Sequence, residues 1–370
     1  MIFKGKTKYV ITAIFLIVVF GVFILNIAMP SREFSENENR YLKQRPEFSF
    51  DALVSGNFSA DFEEYINDQF IARDGFIAIK SASELISGKK ENGGVYFAGD
   101  RLIEKFSDVD DKRLSSNIDA VHRFSDSAGV PVTFALIPTA QEIYRDTLTS
   151  GAPAIDELAL IDKSYEGISS CADIAALLSN HRDEYIFYRS DHHWTSLGAY
   201  YGYSAVCDAM NIDASPLHAE PVLLSSNFNG TLYSKSGARF ITPDEMYAYI
   251  PDEGITVTRY DKDEVTGGLY FTEYLDVKDK YMVYLGGNCP KTVVVTPNED
   301  APRLLILRDS YADTMTPYLT SHFSEIHLLD LRYHRSGVTN YIEENSIDRV
   351  LIVYGTKNFA EDTNISTFLK

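Results

Sequence analysis

Residues 304–319 read LLILRDSYADTMTPYL, four apolar residues followed by an abrupt change of polarity and then a helix-like stretch. A short run that is apolar at every position is typical of a strand buried on both faces of a parallel sheet. Residues 304–307 therefore predict a strand, and residues 311–319 predict a helix. Ser310 lies at the junction, the carboxyl edge of such a sheet, where the helix dipole and backbone N–H groups favour an oxyanion. This position favours a nucleophile.

A second stretch, residues 185–200, repeats this pattern and carries an Asp-His-His cluster. It reads YIFYRSDHHWTSLGAY, in which 185–188 predict a strand and the helix begins at about residue 195. Both motifs are thus expected at the same edge of one sheet. In extended or turning backbone, residues i and i+2 point the same way, so Asp191 and His193 are expected to face one pocket while His192 faces away.

Together the two motifs supply the groups needed for chemistry through a serine ester. Ser310 is the predicted nucleophile, His193 the base and Asp191 the residue that orients the imidazole. Trp194 is the single tryptophan of the chain. We predict that it lines the pocket and excludes water, the alternative being an ordinary core anchor.

Two alternatives to a serine triad remain open at this point. A serine at a strand-to-helix junction is often simply a helix N-cap. Adjacent histidines beside an aspartate also suggest a metal site, but such a site needs further ligands, and the other histidines fall in helix-like or surface-like contexts. We therefore predict that the site uses no metal and no cofactor.

The alternation of apolar runs with helical patterns predicts an α/β fold with a doubly wound parallel sheet. Besides the two strands above, the expected strands are 95–97, 132–137, 326–329 and 350–354. Residues 216–300 break the pattern, because they are rich in Gly, Tyr, Thr and Val and show little helical spacing. They predict a β-rich insertion within a catalytic domain that covers residues 91–370.

The N-terminal segment predicts a membrane anchor. Residues 9–29 are almost continuously apolar and uncharged, and three lysines precede them. About 20 such residues are enough to cross a bilayer, and the positive end is expected inside. No small-x-small cleavage site follows, so residues 1–29 predict a cytoplasmic tip and an uncleaved signal anchor. The expected location is the cell membrane, with a single span and an extracytoplasmic C-terminal domain.

Residues 30–90 are predicted to form an extracytoplasmic tether followed by helices. Residues 31–50 are polar, whereas residues 51–90 have helical spacing with apolar side chains on one side and acids on the other. These residues are expected to form an amphipathic pair of helices that packs against the catalytic domain.

Charge and cysteine content narrow the possible partners. The formal net charge is −19, with 53 acidic and 34 basic residues, which argues against nucleic acid and against adhesion to an anionic lipid surface. The three cysteines are too few and too irregularly spaced for a disulfide framework or a zinc site.

The string SDHHWT at 190–195, with an Asp-Ser-Tyr at 309–311, resembles the DHHW protein family of bacteria. That family is similar to alginate O-acetylation proteins of the AlgX and AlgJ type and, more distantly, to SGNH hydrolases. Further matching blocks lie at 35–40, 62–74, 92–96, 229–235 and 330–333. In the acetylation proteins an Asp-x-His motif and a later Asp-Ser supply a catalytic triad, which implies Asp191, His193 and Ser310 here.

The resemblance implies an SGNH-hydrolase-like fold in permuted order, with the histidine motif before the serine. Triads are recognised by geometry, so this order is compatible with catalysis. Arg308 is a departure, since many relatives in the wider superfamily carry glycine before the Asp-Ser pair.

The resemblance also implies the reaction. We expect O-acetylation of a cell-surface or exported polysaccharide through an acetyl-serine, with a membrane-bound O-acyltransferase as the acetyl donor. A carbohydrate esterase would use the same triad, and a non-catalytic glycan-binding scaffold is the alternative from another class.

Five residues are predicted to bind substrate. Asn229 and Gly230 form a turn that brings backbone close to the acyl group, the alternative being an ordinary hairpin turn. Arg332 and Tyr333 follow a predicted strand end, where substrate-binding side chains of open α/β sheets gather, and an aromatic ring there can stack on a sugar. Trp194 completes the set.

Overall fold

The structure is a computed structural model that describes residues 3–217 and 220–369. Met1, Ile2, His218, Ala219 and Lys370 fall within the predicted segments and lie outside the described residues. The chain divides into an N-terminal unit, Met1–Lys89 with Gly237–Arg239, and a C-terminal unit, Lys90–Ser236 with Phe240–Lys370. The assignment of residues 91–370 as a catalytic domain stays a prediction.

The N-terminal unit is mainly helical. Its helices are α1 (Phe3–Ala28), α2 (Phe50–Val54), α3 (Asn57–Gln69) and α4 (Arg73–Ile86), and its short paired strands are β1 (Phe34–Ser35) and β2 (Arg40–Tyr41). Within α1, Tyr9–Ala28 is a 20-residue segment long and apolar enough to cross a membrane. The predicted helical character of residues 51–90 is confirmed by α2, α3 and α4.

Thirteen strands lie in the described part of the C-terminal unit. They are β3 (Glu91–Asn92), β4 (Val95–Ala98), β5 (Arg101–Glu104), β6 (Val132–Ile137), β7 (Cys171–Ala172), β8 (Val222–Phe228), β9 (Asp244–Ala248), β10 (Thr256–Tyr260), β11 (Glu264–Gly267), β12 (Lys291–Val295), β13 (Arg303–Arg308), β14 (Glu325–Leu329) and β15 (Arg349–Gly355).

The α-helices of this unit connect the strands. They are α5 (Asp111–Ser127), α6 (Ala140–Ile143), α7 (Glu157–Tyr165), α8 (Ile174–Asn180), α9 (Ser196–Met210), α10 (Thr231–Ser236), α11 (Tyr311–Leu319), α12 (Val338–Glu344), α13 (Thr356–Glu361) and α14 (Ile365–Phe368). Short 3₁₀ turns cover Arg145–Thr147, Thr272–Asp276 and Lys280–Val283.

One eight-stranded sheet organises the unit, in the order β11-β10-β12-β14-β13-β15-β6-β7. The five strands from β14 to β7 are parallel, and β12, β10 and β11 extend the sheet in antiparallel pairs. The expected α/β fold with a large, mostly parallel sheet is confirmed, as are the strands at 132–137, 304–307, 326–329 and 350–354.

Helices cover both faces of this sheet, which explains the continuous apolar runs. In β13, Leu304 and Ile306 pack into one core with α9 and α11, while Leu305 and Leu307 pack into a second core with α5 and α12. Because successive side chains point to opposite faces, most positions of a strand between two helical layers are apolar.

One expectation about the main sheet is wrong. The run at 95–97 belongs to β4, which pairs with β3 and β5 in a separate three-stranded sheet. Residues 216–300 are rich in strands, as expected, and three of these strands, β10, β11 and β12, join the main sheet. Only β8 and β9 form a sheet of their own. The antiparallel extension has the turn-rich composition of an insertion and still completes the central sheet.

Candidate active site

The histidine motif lies in a tight loop, and the expected strand at 185–188 is wrong. Phe187 and Trp194 form an isolated antiparallel bridge, with Tyr188 N donating to the His193 carbonyl at 3.3 Å. The predicted helix follows as α9, with Thr195 as its N-cap. Burial explains the apolar run instead, since the side chains of 186–188 are almost fully buried without joining a sheet.

Hydrogen bonds to Asp244 hold this loop in place. We call the loop, residues 189–194, the base loop. The buried Asp244 carboxylate accepts hydrogen bonds from the Arg189 and Ser190 amides, both at 2.8 Å, and from the Ser190 hydroxyl at 2.5 Å. The Tyr185 hydroxyl also donates to it. Burial raises the pKa of Asp244, while these hydrogen bonds favour its charged form. Asp244 is a positioning residue that the sequence pattern did not reveal.

The structure brings the three predicted catalytic side chains into one hydrogen-bonded chain. The Ser310 Oγ lies 2.7 Å from Nε2 of His193, and Nδ1 of His193 lies 2.6 Å from Oδ1 of Asp191. Asp191 and His193 are 2% and 5% exposed, whereas Ser310 is only half-buried. A hydroxyl, an imidazole and a carboxylate in this order can move a proton from the hydroxyl to a base.

His192 does not turn away from this chain as expected. Its ring lies beside that of His193, with centroids 3.9 Å apart, and its Nδ1 lies 2.9 Å from the Thr231 hydroxyl. The base loop bends at residues 189–193 instead of running extended, so the alternation expected of a strand does not apply.

Asp191 is held by the turn that contains Gly230. The amide and hydroxyl of Thr231 both donate to Oδ2 of Asp191, at 2.7 and 3.0 Å. A Cβ on Gly230 would lie 2.3 Å from the Asp191 Cβ, so only glycine permits this approach. Burial alone would raise the pKa of Asp191, but the two neighbouring histidines and these hydrogen bonds lower it well below its usual range. The carboxylate is therefore charged.

Tyr281 covers the imidazole. Its ring stacks on His193 with centroids 3.8 Å apart and planes 8° apart, and its hydroxyl donates to the Ser310 carbonyl at 3.1 Å. Burial and the nearby His192 lower the pKa of His193 to about 4, although Asp191 opposes this shift. The imidazole is thus neutral near pH 7, the state in which it can accept a proton.

The nucleophile loop (residues 308–311) follows β13, as the sequence predicted. Ser310 is the N-cap residue of α11, but its side chain makes no capping hydrogen bond. Its hydroxyl faces His193 instead, which argues against the ordinary N-cap interpretation. The amides of Tyr311 and Ala312 already donate to Asp309, and that of Asp313 donates to the Ser310 carbonyl. These first amides of the helix are therefore engaged within the turn, contrary to the expectation that they face an oxyanion.

The departure at Arg308 is explained by a buried ion pair. Arg308 and Asp313 are 0% and 1% exposed, and Nη1 of Arg308 lies 2.8 Å from Oδ1 of Asp313. Burial raises the pKa of Asp313 to about 6, against the effect of Arg308. The arginine side chain packs under the loop and does not block the serine.

Comparison with known proteins identifies the family of this chain. The sequence model of the DHHW protein family matches residues 93–329, more than half of the chain. The chain belongs to the DHHW family. Residues 191–194 spell these four letters. No curated protein matches the chain.

Three solved structures resemble this DHHW chain. A DHHW family protein from Eubacterium siraeum has 24% identity and a TM-score of 0.66, over 75% of this chain and 95% of that one. Bacillus cereus PatB1 with a sulfonyl adduct has 20% identity and a TM-score of 0.62, over 75% and 98%. The O-acetyltransferase domain of Pseudomonas putida AlgJ has 13% identity and a TM-score of 0.48, over 74% and 95%. At these identities the first two show a shared fold.

The five residues predicted to bind substrate occupy different environments in this DHHW protein. Trp194 is fully buried, and its Nε1 donates to the Tyr311 carbonyl at 3.1 Å, so it joins the base loop to α11. Gly230 lies against Asp191, on the far side of the triad from Ser310, and Asn229 precedes it. The structure therefore gives Trp194 and Gly230 positions that support the catalytic residues.

Arg332 and Tyr333 follow β14. Arg332 pairs with Asp330 at 2.6 Å and lines a cavity of about 240 Å³ with Asp309 and Asn358, next to the nucleophile loop. Tyr333 is 50% exposed. Substrate contact by Arg332, Tyr333 and Asn229 stays a prediction.

Among the described residues, the acid and imidazole groups that lie close enough together to hold a metal ion are Asp191, His192 and His193. Both ring nitrogens of His193 already face Asp191 and Ser310. The same cluster therefore serves a proton-transfer chain, and the absence of a metal remains a prediction.

Proposed function

We propose that this DHHW protein is a membrane-anchored, extracytoplasmic O-acetyltransferase acting on a cell-surface or exported polysaccharide. The observation that supports this most directly is the chain of hydrogen bonds from Ser310 through His193 to Asp191. The order of groups is that of acyl transfer through a serine ester. The choice of acetyl transfer rests on the resemblance to the alginate O-acetylation proteins.

The reaction has two steps, acetylation of Ser310 and transfer of the acetyl group to a sugar hydroxyl. Ser310 Oγ attacks the acetyl carbonyl of the donor while His193 Nε2 takes the hydroxyl proton, and Asp191 stabilises the imidazolium. The donor oxygen leaves with that proton, and an acetyl ester remains on Ser310. A sugar hydroxyl then attacks the ester, gives its proton to His193, and Ser310 regains it as the acetylated sugar leaves.

A cavity lies beside the base loop, but neither Ser310 nor His193 lines it. It has a volume of about 570 Å³, and Tyr185, Tyr247 and Tyr249 line it together with Arg189. Aromatic faces and polar groups of this kind bind sugar rings by stacking and hydrogen bonding. The cavity is therefore separate from the reacting groups, and the choice of a carbohydrate acceptor rests on the resemblance.

The N-terminal segment supports a membrane location and a donor that supplies acetyl groups across that membrane. Tyr9–Ala28 of α1 is long enough to span a bilayer. The three lysines before it favour the orientation with the C-terminal unit outside. Acetyl groups would then be supplied across the membrane, which is the role we assign to a membrane-bound O-acyltransferase partner.

An esterase is the second candidate. Ser310 is half-buried, so water can reach an acetyl ester formed there. Water attack on the ester would release acetate through the same triad.

The test uses the full chain in detergent with p-nitrophenyl acetate, with and without oligosaccharide acceptors. We expect Ser310→Ala to reduce turnover by at least about 10³-fold. Ser115→Ala, a change at an exposed helix position, serves as the matched control. Mass spectrometry would detect acetyl-Ser310.

The products separate the candidates. Acetylated oligosaccharide supports transfer, and acetate alone supports the esterase. Glycan binding with no turnover that depends on Ser310 would overturn both and support a non-catalytic scaffold.

A further inference from the structure

The N-terminal unit exposes apolar side chains on the outer side of α4. Phe76 and Ile79 are 58% and 65% exposed, and Ile86 is 87% exposed, while the polar Ser81 is buried. Positions i, i+3 and i+10 share one face of a helix, so these three apolar residues form a stripe. The helix therefore exposes three large apolar side chains, which a helix surrounded by water usually buries.

The apolar stripe continues onto α2 and α3. A groove of about 460 Å³ lies along Phe70, Phe76 and Ile77. A second groove of about 360 Å³ lies along α2 and α3, and both grooves reach Asn67. We call the surface formed by Leu53, Phe62, Ile66, Phe76 and Ile79 the interfacial face. Asn67, Arg73 and Glu63 also line the grooves, so the apolar side chains lie among polar ones. Exposed apolar side chains grouped in this way mark an interaction site.

The interfacial face adjoins the end of α1. The amide of Ile71, between α3 and α4, donates to Oδ1 of Asn26 at 2.7 Å. Asn26 lies two residues before the end of α1, which is about 3 Å along a helix axis. The Gln69 side chain also bonds to the Arg32 backbone. Its Oε1 accepts from the Arg32 amide at 2.8 Å, and its Nε2 donates to the Arg32 carbonyl at 2.9 Å. The turn between α3 and α4 is therefore held at the level where the apolar segment ends.

We propose that the interfacial face lies in the phospholipid surface of the same bilayer that α1 spans. This inference rests on the proposed membrane anchor. A predominantly apolar segment of 20 residues matches a hydrocarbon core of about 30 Å, so its last turn lies at the boundary between acyl chains and headgroups. Aromatic and aliphatic side chains fixed at that level can enter the boundary.

Lys80 fits this arrangement. It follows Ile79 on the exposed side of α4, where a lysine can bury its aliphatic stem and extend its ammonium group to lipid phosphates. The net charge of −19 does not favour an anionic surface, so the expected partner is a zwitterionic phospholipid.

The test measures tryptophan quenching by brominated lipids in the full chain reconstituted into phosphatidylcholine vesicles. Native Trp194 is fully buried in the C-terminal unit, so wild type supplies the background. We expect bromine on the acyl chains to reduce the added emission of Phe76→Trp and of Ile79→Trp by about twofold or more. Two positions keep the test valid if one variant folds poorly.

Two further variants serve as references. Phe20→Trp lies inside α1 and reports the anchor, and Val265→Trp is an exposed position on β11 of the C-terminal unit. Strong quenching of Phe20→Trp without quenching at 76 and 79 would overturn this inference and leave the anchor standing. An unquenched Phe20→Trp would overturn the anchor and the inference together. If Val265→Trp were quenched as strongly as the variants at 76 and 79, the signal would not distinguish the interfacial face, and the inference would also be overturned.

Discussion

Hydrogen bonds of His192, His193 and Trp194 join the base loop to Ser310 and Tyr311 of the nucleophile loop, yet different forces hold the two loops. The nucleophile loop leaves β13, a central strand of the parallel sheet, and a fully buried ion pair lies beneath it. The base loop contributes no strand to that sheet and is fixed by polar side chains, chiefly Asp244 and Thr231. One half of the site thus depends on the central sheet, and the other on hydrogen bonds from residues distant in sequence.

This difference predicts two kinds of sensitivity. Changes under the nucleophile loop should reduce the stability of the whole unit, because they disturb its core. Changes around the base loop should reduce turnover while the fold persists, because they displace the imidazole or alter its tautomer.

The largest expected effect is at the carboxylate of the base loop. Asp191→Asn keeps the shape of the side chain but no longer stabilises the imidazolium, so kcat/KM should fall about 10⁴-fold. Esterase assays with p-nitrophenyl acetate measure this. Asp208→Asn, an exposed amide substitution on α9, should leave both activity and melting temperature unchanged. A loss of less than about tenfold for Asp191→Asn would contradict the assigned role.

The next largest effect is expected on the free energy of unfolding. Arg308→Met removes the charge that Asp313 faces in the core and should lower the free energy of unfolding by about 3–5 kcal/mol. Urea titration followed by circular dichroism measures this change. Arg308→Met combined with Asp313→Leu removes both charges and should recover most of the loss. A single variant as stable as wild type would show that the nucleophile loop does not depend on the buried pair.

A smaller loss is expected where the backbone approaches the triad. Gly230→Ala would place a Cβ 2.4 Å from Oδ2 of Asp191, forcing the carboxylate to shift. A displacement of about 1 Å in a catalytic constellation costs about 10²-fold in rate. Gly337→Ala, where the added Cβ meets no atom within 4 Å, is the matched control. Equal activity of the two variants would show that the base loop tolerates the shift.

The pH dependence of activity tests the base loop without any substitution. The pKa of His193 is lowered to about 4, chiefly by burial, and the imidazole acts as a base only when neutral. Activity should therefore stay level as the pH falls from 8 to about 5 and decline as it passes about 4. The profile of kcat/KM measures this, with circular dichroism at each pH to show that the fold persists. A decline centred near 6.5 would mean that the base loop leaves His193 open to water.

Much of this site follows from sequence because its strongest signals are local. The run at 304–307 could be assigned to a strand, and Ser310 to the turn after it, since burial on both faces makes most positions of a central strand apolar. The same signal at 185–188 predicted a strand wrongly, because burial in a loop produces the same apolar run. Asp244 and Tyr281 carry no local signal, since their roles arise only when distant segments fold together. Thr231 lies in a block that resembles the family, but its hydrogen bonds to Asp191 form only when that block folds against the base loop.

The hydrogen bond between His193 and Ser310 joins residues 117 positions apart. Contacts of such long range form late, because the intervening chain must first be ordered. The base loop also requires Asp244, which is made after it. A nascent or partly degraded chain would therefore carry a histidine with no hydroxyl to activate, and acyl chemistry would begin only once synthesis and folding of the entire C-terminal unit are complete.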